Sequence, residues 1–342
     1  MSIARFLIRA LFDTWSIRRI DKNNSNSLLF STFYFLKDTS ETKERIVILS
    51  HGELLRELRI KKGVTQKDLY DSVMSKSYAI RFEQGKHEIS FHLIQLLLER
   101  LGMEIDEFLY IYHGFQESLV ERFYDEYGLK GNANDIDGLI ALRSTYRAFP
   151  TSYQNSLRLT ELDARIEQLT YFNQHGVFLK EAISKETRQT IHDYLDRIET
   201  WTIGELRFFA NTLDFIDYER KTEYFRSILP SLHRYKQFKR GRTVICTLLI
   251  NEIHELIMTT ELGMAQILLV QLDDFSQGIE AMFYRNTHHF YSGLLLIAQG
   301  NVTAGTLQVE QAIMIYETLG YPHQAALSRS FYQLLRPTNP PE

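Results

Sequence analysis

Between Gly52 and Gly114 apolar residues recur three and four positions apart, with polar residues filling the intervals. That spacing turns one face of a helix toward a core. It resolves into five short helical segments at 52–63, 65–72, 75–85, 90–102 and 104–113. Leu55, Leu58, Leu69, Val73, Leu93, Leu97 and Leu101 supply the expected core. Gly63 closes the first segment, and the Thr65 hydroxyl is placed to cap the second. After Ser72, Val73 and Met74, Ser75 caps a helix that ends at Gly85. Two short helices with a three-residue turn between them have the spacing of a helix-turn-helix, whose second helix enters the DNA major groove.

The helical period continues past this block. Residues 116–134 read as a linker helix followed by a turn, with Asp135 opening the next domain. From 135 to 336 the pattern falls into antiparallel helix pairs at 135–171, 178–216, 218–259, 262–299 and 303–335. Pro150, Pro230 and Pro322 are expected at breaks between helices, and the last three prolines mark a frayed tail at 337–342. The run Val244–Ile250 is short and apolar enough for a strand, but its length and flanks also suit a helix. Near the end, GLLLIAQGN…AGTLQVEQAIMIYETLGY resembles a tetratricopeptide-like unit, with Gly293, Ala298 and Ala312 where paired helices pack closely. The expected fold is all-α, a five-helix reader followed by an α-solenoid, an architecture with a concave binding face.

Residues 1–49 do not match the rest. Their apolar residues are interrupted by Arg5, Arg9, Arg18 and Arg19, too charged for a signal-peptide core and too short for a membrane span. An amphipathic surface helix is one reading, and LLFSTFYFL is strand-like. The leading expectation is a start codon assigned too far upstream.

Charge sharpens the picture at one place. The 342 residues carry a formal net charge of −4, yet residues 56–86 hold eight Lys/Arg against four acids. The candidate DNA contacts are Gln66 and Lys67 at one helix start, and Ser75, Lys76, Ser77, Tyr78 and Arg81 at and along the next helix. These donors sit where a recognition helix and its supporting helix meet phosphates and base edges. A solvated helix face is the competing explanation of such a run. The single cysteine, Cys246, excludes an intrachain disulfide framework, fits a reducing cytoplasm, and reads as a small buried apolar residue.

LRELR-xxx-G-x-TQ-xx-L followed by SKSY-xx-RFE-x-G resembles the Xre/Cro-type helix-turn-helix, specifically that of the Rgg/GadR/MutR regulators of Gram-positive bacteria. The segments DGLIALRSTYRAFPTSYQNSLRL and YLDRIETWTIGELRFFANTLDFI are similar to the C-terminal repeats of the same group, so the resemblance spans roughly 50–336. It implies that Arg59 and Glu83 pair to tie the first helix to the third. It also implies a cytoplasmic homodimer, most often an activator, whose repeats bind a short, mostly apolar signalling peptide through Asn and Arg side chains. Two readers held about one DNA turn apart require a palindrome-like double-stranded site.

An extended peptide offers unpaired amides and carbonyls, so its groove needs side chains that both donate and accept. Asn211 and Asn251 lie inside otherwise apolar helices, where Asn is a costly choice. Arg207 precedes Asn211 by one turn and shares its face. Tyr284 and Asn286 sit at an expected helix junction. These five are the candidate peptide contacts, with a hydrogen bond to a neighbouring helix as the alternative for each Asn. GxxxxGK[ST], GxGxxG and HExxH motifs do not occur, and one cysteine makes CxxC impossible. No enzyme activity, cofactor or metal is expected. The alternatives to a peptide sensor are a regulator that answers to a protein partner or to no ligand, and a helical-repeat scaffold.

Overall fold

The computed structural model describes residues 49–335 apart from Phe178. The readings made for 1–48 and for the tail after 335 lie outside the described residues. Among those described there is no strand. The chain divides into two compact units, and the division falls between Tyr124 and Asp125.

The first unit begins with α1 (His51–Lys61), α2 (Gln66–Tyr70), α3 (Lys76–Glu83), α4 (Phe91–Arg100) and α5 (Ile105–Tyr112). Each of the first four starts on a Ser or Thr whose side chain accepts a backbone N–H of the first turn: Ser50, Thr65, Ser75 and Ser90. Ser50 and Glu53 complete a reciprocal capping box. The core contains Leu54, Leu55, Leu69, Phe82, Leu97, Leu101 and Phe108. Of the expected core, Leu58 and Val73 are partly buried against it, and Leu93 is half-buried at a helix start. Helix α2 is shorter than the sequence pattern suggests. It stops at Tyr70, so five residues, Asp71 to Ser75, separate it from α3, and Ser72 takes φ +63°. Gly52 is required by contact: a Cβ there would lie 1.9 Å from the Phe82 carbonyl oxygen.

Helix α6 (Leu119–Asn132) runs across the division. The second unit continues with α7 (Ile136–Arg147), α8 (Tyr153–His175), α9 (Lys185–Leu195), α10 (Ile203–Thr212), α11 (Tyr218–Leu232) and α12 (Lys239–Met258). It ends with α13 (Leu262–Phe275), α14 (Met282–Ala298), α15 (Val302–Thr318) and α16 (Pro322–Leu335). Asp135 caps α7 through the Gly138 N–H, as its position suggests. The run Val244–Ile250 is helical, inside α12, and Cys246 is buried there with its thiol pushed up to about 12 by burial.

Two expectations need correction. Pro230 is not at a break: it lies inside α11, in its last turn, where the missing N–H and the ring disturb only the end of the helix. The expected pairing also holds only in part: α7 packs on α8, α13 on α14 and α15 on α16, whereas the main packing of α10 is on α12 rather than on α9. Helices α8, α10, α12, α14 and α16 pack successively against one another as a row, and α9, α13 and α15 lie against that row. A close backbone approach joins α14 to α15, across two of the expected pairs and within the tetratricopeptide-like stretch. A Cβ on Gly305 would stand 2.6 Å from the Gly293 carbonyl oxygen, and one on Gly293 would stand 2.9 Å from the Gly305 carbonyl oxygen. Ala312 is fully buried nearby in the sequence of α15.

Candidate functional site

The geometry of the reader is set by one buried carboxylate. Glu83, at the end of α3, accepts four hydrogen bonds. Arg59 of α1 gives two, from Nε at 2.6 Å and Nη2 at 2.9 Å. Gln66 Nε2 gives one at 2.7 Å and the Tyr70 hydroxyl another at 3.0 Å. Arg59 Nη1 donates in addition to the Val64 carbonyl at 3.0 Å. Burial pushes the Glu83 carboxyl up, but the bonds from Arg59, Gln66 and Tyr70 outweigh it and hold the group below the usual carboxylate range. Burial raises the Tyr70 hydroxyl, and the Glu83 charge adds to that. Arg59 and Glu83 thus meet as the resemblance implies, joining α1 to α3.

Arg100 of α4 fastens the turn between α2 and α3. Its Nη1 donates to the carbonyls of Leu69 at 2.9 Å and Asp71 at 2.6 Å. Neither Tyr70 nor Arg100 stands out in the sequence as part of this assembly, because their partners lie 13 to 31 residues away.

The predicted DNA contacts divide into two groups. Lys67, Lys76, Ser77, Tyr78 and Arg81 are exposed. Ser75 is the cap of α3, its hydroxyl accepting the Tyr78 N–H and lying 3.3 Å from the Ser77 hydroxyl. The Tyr78 ring stacks on His87 with centroids 5.3 Å apart, and its hydroxyl donates to the Glu88 carbonyl, so the side chain is held against the loop after α3. Gln66 differs from the rest: it is half-buried and committed to Glu83.

In the second unit the candidates also divide. Asn211 is half-buried on α10, and its Nδ2 donates to Glu161 Oε1 of α8 at 2.9 Å. Asn251 is half-buried on α12, the next helix of the row, and its Oδ1 is enclosed without a hydrogen-bond partner. Arg207 lies half-buried one turn before Asn211. Tyr284 is pushed up to about 12 by burial and bonds Thr243 of α12. Asn286 is buried between helices, where its Nδ2 donates to the Ala312 carbonyl of α15 at 2.9 Å. That contact packs α14 on α15, and the Asn286 Oδ1, like that of Asn251, is enclosed without a hydrogen-bond partner. Two further buried groups carry no signal in the sequence. Glu161 is 1 % exposed on α8. Lys221 of α11 donates to Glu252 at 3.0 Å and Glu255 at 2.7 Å of α12. Among the described residues no helix is long and apolar enough to cross a membrane.

A capped helix-turn-helix with a cationic outer face, in a chain that continues as helical repeats, defines a DNA-binding transcriptional regulator. Comparison with known proteins agrees. Residues 55–108 match the helix-turn-helix family model, and residues 141–329 match that of the HTH-type transcriptional regulator Rgg, C-terminal domain. The chain belongs to the Rgg family of transcriptional regulators. Among solved structures it is similar to a protein of Listeria monocytogenes EGD-e described as a candidate transcriptional regulator. That match has 34% identity over 83% of this chain and 97% of the other, with a TM-score of 0.78. The SHP pheromone receptor Rgg2 of Streptococcus dysgalactiae is 22% identical over 83% of this chain and 100% of its own, with a TM-score of 0.67. PrgX in its complex with cCF10 is 19% identical over 83% of this chain and 98% of its own, with a TM-score of 0.62. At those last two identities the likeness establishes the fold.

Proposed function

We propose that this regulator is a cytoplasmic homodimer that binds a palindrome-like promoter site and activates transcription when its repeat domain takes up a short, mostly apolar signalling peptide. The DNA contacts are assigned to Lys67, Ser75, Lys76, Ser77, Tyr78 and Arg81, with Gln66 reaching a phosphate only from its place on Glu83. The peptide contacts are assigned to Arg207, Asn211, Asn251, Tyr284 and Asn286. The observation that carries the reading is the pair of half-buried asparagines on adjacent helices of the row, Asn211 and Asn251. An extended peptide needs side chains of this type, and two of the similar folds are described as a pheromone receptor and a PrgX/cCF10 complex.

Fluorescence anisotropy on a labelled duplex taken from upstream of the gene tests it, with and without peptides encoded beside the gene. Salt-dependent binding that a peptide shifts is the expected result. Binding that no peptide changes would replace the sensor with a regulator governed by a protein partner.

A further inference from the structure

A carboxamide can present either a donor or an acceptor to a ligand, and Asn211 has its choice made for it. Glu161 lies on α8 with Arg158 and Arg165 three before and four after it, on the same side of the helix. Arg158 stands over the Tyr146 ring at 5.7 Å and Arg165 Nη1 donates to Gln168 at 2.8 Å, while the Glu161 carboxylate accepts from Asn211. The 2.9 Å contact therefore has one polarity: the Asn211 amide nitrogen faces Glu161. The carbonyl oxygen, on the other branch of the same planar group, points away from it. Asn251 on the neighbouring helix leaves the same atom type, Oδ1, without a partner.

We propose that Glu161 is a positioning residue that fixes Asn211 as a hydrogen-bond acceptor, so that this part of the surface selects ligands by their backbone N–H groups. The inference rests on the peptide-sensing reading above and adds the polarity of recognition to it. A peptide is held here through its amides, and its carbonyls are served elsewhere. Loss of one N–H at the matching position, by N-methylation, abolishes the contact while leaving the side chain untouched.

The probe is a fluorescein-labelled apolar octapeptide, the tightest binder selected from a synthetic library against the full chain. Glu161→Gln weakens its binding by about tenfold, because a carboxamide at that position no longer dictates which way the Asn211 amide turns. Asn211→Asp alone weakens it at least as much, since two carboxylates then face each other. Combining the two substitutions restores binding to within a few-fold, because the introduced carboxamide donates to the introduced carboxylate and an acceptor again faces the ligand. A double variant that melts like the parent but binds no better than Asn211→Asp overturns the inference.

A backbone N-methyl scan of the same peptide gives a second measurement that needs no buried charge change. One methylation that weakens binding to the parent about tenfold has no further effect on Asn211→Ala. A scan in which every methylation acts equally on both proteins also overturns it. A selection that yields no binder removes the peptide-sensing reading itself, a result distinct from either of these.

Discussion

Two buried polar sites, one in each unit, are completed to different degrees. In the reader, Glu83 is enclosed and accepts from four donors on three side chains. In the repeat unit, Asn251 keeps an enclosed carbonyl oxygen with no partner, and Asn211 has committed only its nitrogen. A saturated network stiffens what it joins, while an unsatisfied acceptor costs stability until something donates to it. The reader is therefore built as a fixed platform, and the repeat unit keeps unspent hydrogen-bonding capacity at these two asparagines.

The largest effect should come from emptying the saturated network. Glu83→Ala leaves Arg59 enclosed without its counter-charge and should cost about 3–5 kcal/mol of reader stability, read from urea unfolding of the full chain. The same network has an acid limb. Because the folded carboxyl sits below its unfolded value, its contribution is present above the unfolded pKa and lost as pH falls through the folded one. A Glu83→Gln variant should lack that part of the acid destabilisation, as thermal melts across the acid range would show. In the repeat unit, Gly305→Ala should cost about 1–3 kcal/mol by forcing two helix backbones apart. An unchanged melt would mean that α14 and α15 can separate freely.

The outer face of the reader should matter to DNA and not to folding. Lys76→Ala with Arg81→Ala should leave the melt within about 0.5 kcal/mol and lower the salt slope of duplex binding by about 2. A slope that does not move would place the phosphate contacts on other residues. Among the substitutions expected to destabilise the fold, the smallest cost belongs to a helix cap: Thr65→Ala should cost about 1 kcal/mol by releasing the Asp68 N–H.

How much of this is legible in the sequence follows from the range of each interaction. The capping residues Thr65, Ser75 and Asp135 act on N–H groups three positions away, and sequence spacing is enough to find them. The Arg59–Glu83 pair spans 24 residues and is reached through family resemblance. Glu161 and Asn211 are 50 residues apart, and Lys221 meets its carboxylates 31 and 34 residues on, so nothing local marks them. The packing of α10 on α12 escapes the sequence for a related reason. Periodicity locates helices but not which of them touch, and Gly305 sits inside the tetratricopeptide-like stretch with nothing local to distinguish it. Asn286 and Asn251 look alike in the sequence, and the bond from the Asn286 amide to an α15 carbonyl 26 residues away is invisible there.

The contact between Gly293 and Gly305 also bears on how this chain can diverge. Backbone meets backbone there, so every exchange at either position adds atoms, and no second change at the other can take them away. A mutational library of the repeat unit should be nearly silent at these two positions while neighbouring surface positions vary freely. The pair then acts as a fixed seam, and inherited variation has to accumulate on the helices to either side of it.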